Sequence, residues 1–245
     1  MQWLIATAAK GGPEQLNSTR IANRLIALMT PLIFAVCYVF SHAVLDLYGS
    51  PDREEFVGGL YAECKEESEK HNGLGTAEAV DSLYRIDSTI RESMRTSDVA
   101  VTNLFRDVTA GGVDLGHGVT VTKGTRMAFP TQNIHMDPEY YETPERFDAF
   151  RFSRGFEGLD EASLQARAQE RELVVTPTLS FLPLGYGRHA CPGRWFAAQT
   201  MKQALAYIVL NYDVELIGKP ITRKALVNTM VPPVDAKMRI RRKPR

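Results

Sequence analysis

The longest apolar stretch runs from Leu25 to Leu45 (LIALMTPLIFAVCYVFSHAVL), with apolar residues on every face of a helical projection. That pattern fits either a membrane span or a helix buried in a large core. Pro31, Ser41 and His42 lower its hydropathy and Asp46 follows at once, so the residues lean toward the buried helix while leaving both readings open. Ser50-Pro51-Asp52 is a stop followed by an N-cap, and Arg53 to His71 reads as an exposed amphipathic helix anchored by Phe56, Leu60 and Cys64. Asn72-Gly73-Leu74-Gly75 breaks it. From Thr76 to Arg95 a third helix carries Val80, Leu83, Ile86, Ile90 and Met94 at helical spacing, which predicts their burial.

Between Ala100 and Phe129 the period shortens to alternating runs, VAVTNLF, GVTVT and TRMAF, separated by Gly111-Gly112 and Lys123-Gly124. These predict a small antiparallel sheet. Asn133 to Ser180 is rich in Pro, Asp, Glu and Arg with little periodicity, as in a long irregular segment that wraps something. The run FLPLGYGRHACPG follows, then a helical pattern (RWFAAQTMKQALAYIVLNY) and two strand patterns, YDVELIG and AKMRIRR.

Composition changes this picture little. A chain of 245 residues with 44% hydrophobic content can build a core, and 29 basic against 29 acidic residues leave no electrostatic footprint for nucleic acid beyond the short basic end Arg239 to Arg245. Cys37, Cys64 and Cys191 are an odd number at wide spacing, which speaks against a disulfide framework or a structural zinc site and fits a reducing compartment. Met1 to Gly12 lacks the basic start and small-residue cleavage pattern of a signal peptide.

Chemistry concentrates at Gly185-Tyr186-Gly187-Arg188-His189-Ala190-Cys191-Pro192-Gly193. Two glycines four and six residues before the cysteine allow a tight loop, and Pro192 suits the first turn of the following helix. A sulfur at a helix N-terminus is favoured as thiolate, the form that ligates iron or attacks a substrate. A lone cysteine is more often a buried structural residue, and His189 two positions away leaves a cysteine-nucleophile hydrolase as a weaker alternative.

With its neighbours the loop resembles the haem (heme)-binding signature of the cytochrome P-450 family. Gly185, Gly187, Cys191 and Gly193 match, and His189 stands where the family places a basic residue that contacts a haem propionate. The aromatic residue expected seven before the cysteine is Leu184. Leu83 to Arg95 looks like the K helix with its Glu-x-x-Arg motif at Glu92 and Arg95. Ile134 to Phe152 is similar to the meander, which puts the third member of the structural triad at Arg151. Arg106 falls where relatives carry a second propionate-binding arginine, and Ser41 to Leu47 looks like the end of the I helix, which favours the buried reading of the apolar run.

The resemblance implies a mainly α fold with a minor β part, corresponding to the C-terminal half of a family member. In it, 1–245 forms one truncated domain: an I-type helix over 17–48, a K-type helix over 76–96, a meander over 133–180, the haem loop over 181–193 and a helix over 193–211. It implies haem with Cys191 as axial ligand, NADPH-cytochrome reductase as electron donor, an apolar small-molecule substrate and no nucleic acid. The wording of the loop looks most like fungal members of secondary-metabolite pathways. The location implied is the cytoplasmic face of the endoplasmic reticulum membrane, or the soluble cytoplasm if no anchor accompanies the chain. Phe34 and Ala35 occupy the distal position where relatives carry a proton relay, and neither side chain moves a proton. Three readings follow: a monooxygenase, a haem-thiolate isomerase or dehydratase that activates no oxygen, and a non-catalytic remnant.

Overall fold

The computed structural model describes residues 2–97, 99–218 and 223–244. Helix α1 (Gln2–Ala9) precedes the long α2 (Ser18–Gly49), whose start is capped by the Asn17 side chain accepting from the Thr19 and Arg20 amides at 2.9 and 3.4 Å. The helix passes through Pro31 unbroken, with the preceding Thr30 hydroxyl donating to the Ile26 carbonyl at 2.8 Å.

The expectation of a helix buried throughout is corrected for α2. Val39, Ala43, Leu47 and Tyr48 are buried, whereas Ile26, Ile33 and Phe34 are 61%, 56% and 48% exposed. The reason is positional: the buried residues of α2 all lie between Val39 and Tyr48, and α3, α5, α8 and β5 pack against the helix, as do α1 and a short 3-10 turn at Pro13–Leu16. By length and composition α2 could also cross a membrane.

Helix α3 (Arg53–Lys70) buries Phe56, Leu60 and Cys64, one turn apart, as their spacing requires. Asp52 occupies its N-cap position but makes no cap bond; its carboxylate accepts instead from Arg146 at 2.9 Å. The single helix expected over 76–96 is two, α4 (Ala77–Asp81) and α5 (Tyr84–Thr96). Ser82 ends α4 by folding its hydroxyl back onto the Glu78 and Ala79 carbonyls. Glu63 of α3 then caps α5 from outside, accepting from the Arg85 and Ile86 amides at 2.6 and 3.1 Å.

Instead of one sheet, the strands form separate two-stranded antiparallel ribbons. They pair β1 (Asn103–Asp107) with β4 (Arg126–Phe129) and β2 (Val113–Asp114) with β3 (Thr120–Val121). Short helices α6 (Thr131–His135) and α7 (Glu161–Ala166) interrupt an otherwise irregular stretch before α8 (Arg194–Asn211). The last ribbons pair β5 (Tyr212–Ile217) with β8 (Lys237–Arg242) and β6 (Lys224–Leu226) with β7 (Thr229–Val231). The core gathers α2, α3, α5 and α8 around Leu60, Ile86, Ile90, Phe181, Leu205 and Val209. The fold is mainly helical with small sheets.

Candidate functional site

Phe181 and Leu182 enter the core and fix where the cysteine loop begins. The Leu182 amide donates to His135 Nε2 at 3.0 Å, and the His135 ring stacks on Phe181 with centroids 5.8 Å apart. Burial, helped by the Arg95 and Arg91 charges, lowers the His135 pKa to about 3, so the imidazole is neutral and its Nε2 can accept that bond. Gly185 and Gly187 both take left-handed φ, 74° and 62°. A Cβ on Gly185 would stand 3.3 Å from the His189 carbonyl oxygen, whereas one on Gly187 would meet nothing within 4 Å. The chain therefore doubles back tightly at Gly185 and leaves open space at Gly187.

The turn closes through the Cys191 amide, which donates to the Leu184 carbonyl at 2.7 Å. Cys191 is a free, half-buried thiol. Helix α8 begins at Arg194 with Gly193 at its N-cap position, so Pro192 lies in the connecting turn and not in the first helical turn. His189 is exposed and accepts from Arg188 at 3.2 Å. Arg106 lies on the exposed part of β1, its guanidinium donating to the Phe105 carbonyl at 2.8 Å. Phe34 stacks on Tyr38 at 4.2 Å, and Ala35 is half-buried beside it.

Behind the loop, Glu92 and Arg95 of α5 form a fully buried ion pair that the partly buried Arg151 joins from the meander. Arg95 grips Glu92 with two 2.8 Å bonds, and Arg151 Nε brings a second pair of contacts to the same carboxylate at 3.0 and 3.1 Å. The guanidinium groups also tie down the meander: Arg95 donates to the His135 and Pro144 carbonyls at 2.6 and 2.8 Å, Arg151 to those of Glu142 and Arg146 at 2.8 and 3.1 Å. The structure thus brings Glu92, Arg95 and Arg151 together, and puts Gly185, Gly187, His189 and Cys191 in one loop. Among the described residues no hydrogen bond joins Arg106, Phe34 or Ala35 to either group.

Several residues that matter here carried no assignment in the sequence. His135 falls within the meander pattern, and Arg91 and Arg194 fall within helical patterns that single neither of them out. An arginine three residues after the cysteine is the one local signal that was available.

The residues fit a haem. A porphyrin supplies most of the ligands of its iron and asks the protein for an axial donor, which Cys191 can be. The single half-exposed thiol and the space at Gly187 suit that arrangement.

Comparison with known proteins agrees. The family model described as Cytochrome P-450 matches residues 42–238. The chain is 38% identical to the cytochrome P-450 monooxygenase gloP of Glarea lozoyensis, over 99% of this chain and 46% of that protein. It is 40% identical to the monooxygenase htyF of Aspergillus rugulosus, over 95% of this chain and 35% of that protein. It is also 32% identical to efuH of Hormonema carpetanum, over 81% and 35% respectively. The chain spans less than half the length of these relatives. With a glycine-built cysteine loop seated on a buried Glu-Arg-Arg cluster, and a family match over most of its length, the chain belongs to the cytochrome P-450 family, whose cofactor is a haem ligated by cysteine.

Proposed function

We propose that this chain is the haem-binding part of a fungal monooxygenase that oxidises an apolar small molecule of secondary metabolism. NADPH-cytochrome reductase would supply its electrons at the cytoplasmic face of the endoplasmic reticulum. The observation that carries the reading is Cys191 itself, a free thiol at the end of a loop closed by its own amide. The similar proteins gloP and htyF, both fungal monooxygenases, support the reaction class.

When bound, a haem with a thiolate ligand supplies oxygen activation, electron density from sulfur assisting cleavage of the O–O bond. Cys191 is the residue that would hold the iron, and His189 and Arg106 are the side chains that would donate to the propionates. Glu92, Arg95 and Arg151 hold the meander in place behind the loop. On α2, the Phe34 and Ala35 side chains carry no proton to relay.

One observation favours a second reading, a haem-thiolate isomerase or dehydratase. Thr30, the nearest aliphatic hydroxyl to that position along α2, spends its proton on the Ile26 carbonyl. The experiment is to supply the haem-loaded chain with reductase, NADPH and a panel of apolar compounds while recording oxygen uptake and products. NADPH-dependent oxygen uptake coupled to an oxidised product is expected; rearrangement or dehydration without oxygen uptake would replace this reading with the second.

A further inference from the structure

The segment 172–176 lies between α5 and the cysteine loop and is held at every residue. Arg91 of α5 takes the Glu172 carboxylate at 2.7 Å and the Leu173 and Thr176 carbonyls at 2.6 and 2.8 Å. Asp87, one turn earlier on α5, accepts the Val174 amide at 2.6 Å and pairs with the buried Lys202 of α8 at 3.3 Å. The Arg91 guanidinium is itself clamped, 4.6 Å from the Phe152 ring centroid and 3.8 Å from that of Phe181. Its charge is buried, so leaving any of these carbonyls would strand a desolvated cation. The strap is therefore a rigid part of the α5 scaffold.

The Val175 carbonyl accepts from Arg194 Nε at 3.1 Å. The same guanidinium donates to the Cys191 carbonyl at 2.7 Å and lies 3.5 Å from the Trp195 ring centroid. One planar group thus joins the rigid strap to the backbone of the proposed iron ligand. The other strong backbone bond of Cys191 runs to Leu184 inside its own loop, and the Gly187–His189 turn is exposed. Arg194 is consequently the side chain that connects Cys191 to the scaffold, and the planar fork that does so has no equivalent in a lysine.

We propose that Arg194 is the positioning residue of the cysteine ligand, fixing the Cys191 backbone to the 172–176 strap and so setting where the sulfur points. This rests on the haem-thiolate reading of Cys191. A ligand that swings away from the iron axis gives a weaker bond, and outer-shell partners of metal ligands commonly cost about ten- to a hundred-fold in affinity when removed.

The test compares the parent chain with Arg194→Ala and Arg194→Lys by two measurements. Amide hydrogen exchange in the haem-free chain reads the clasp without any cofactor. Both variants are expected to speed exchange at the Cys191 amide about tenfold, with α3 exchanging as in the parent, which establishes that the variants are folded. In the haem-supplied chain, the reduced carbon monoxide complex is expected to lose at least half of its red-shifted Soret band to the ordinary position in both variants. Unchanged exchange and an unchanged band would overturn the clasp, as would full restoration by lysine, because charge alone would then suffice. A folded parent that takes up no haem would overturn the ligand reading and the role of Arg194 with it, whatever the exchange rates show.

Discussion

Glu92 has no exposed surface, yet it carries the charge on which two arginines converge, and the Asp148 amide donates to it as well at 3.1 Å. Its oxygens are saturated, which is the condition under which a buried ion cluster is tolerated. Replacing Glu92 by Gln removes the charge and leaves the fully buried Arg95 facing only carbonyls. The expected loss is about 3–5 kcal/mol of unfolding free energy, read as a lowered urea midpoint; a loss under about 1 kcal/mol would mean that the cluster behaves like a surface pair. The resemblance of the Glu-x-x-Arg pattern and of the motifs downstream to those of the cytochrome P-450 family made Glu92, Arg95 and Arg151 legible in the sequence. Glu63 was not legible as the cap of α5, because its partners Arg85 and Ile86 lie 22 and 23 positions away, and no local pattern encodes that approach. Burial pushes the Glu63 carboxyl up to about 7 against the two amides that favour its charge.

Among elements, α2 shows how a single helix can be core at one end and exposed at the other. Its inner end is fixed by a polar knot that links it to α5 and to the β6–β7 ribbon. Arg223 donates to His42 Nδ1 at 2.9 Å and to Asp46 at 2.5 Å, Ser93 donates to the other Asp46 oxygen at 2.5 Å, and His42 Nε2 lies 3.0 Å from the Met230 carbonyl. Sequence reading placed His42 and Asp46 on the helix but had no access to Arg223, 181 and 177 positions away. Burial, aided by Arg223, lowers the His42 pKa from 6.5 to about 4. Burial also raises the Asp46 pKa from 3.8 to about 6, outweighing its arginine partner.

The two shifts act on stability with opposite signs. Between about pH 4 and 6.5 an unfolded His42 binds a proton that the folded one does not, so its contribution to stability rises with pH. Between about pH 4 and 6 a folded Asp46 binds a proton that the unfolded one has lost, so its contribution falls with pH. In the parent these slopes largely cancel. Relative to the parent, His42→Gln should lose stability as pH rises from about 4 to 6.5, and Asp46→Asn should recover stability between about 4 and 6. Urea unfolding across that window checks both; slopes of the same sign in the two variants would contradict the assignment.

At the scale of the whole molecule, the helical order, the ribbons and the cysteine loop follow from hydrophobic period and glycine placement. What periodicity could not give was the division of the strands into separate pairs or the bare outer half of α2, because both depend on which neighbours are present. The molecule combines a closed cysteine loop and its Glu-Arg-Arg support cluster with an apolar helix that is half exposed. Its central property is whether this arrangement holds haem through Cys191. The direct measurement is the carbon monoxide spectrum of the reduced, haem-supplied chain beside that of Cys191→Ser. The account predicts stoichiometric haem in the parent with the Soret band at the red position of thiolate ligation, and loss of that band in the serine variant. A folded parent that binds no haem, or a serine variant that keeps the red band, would contradict it.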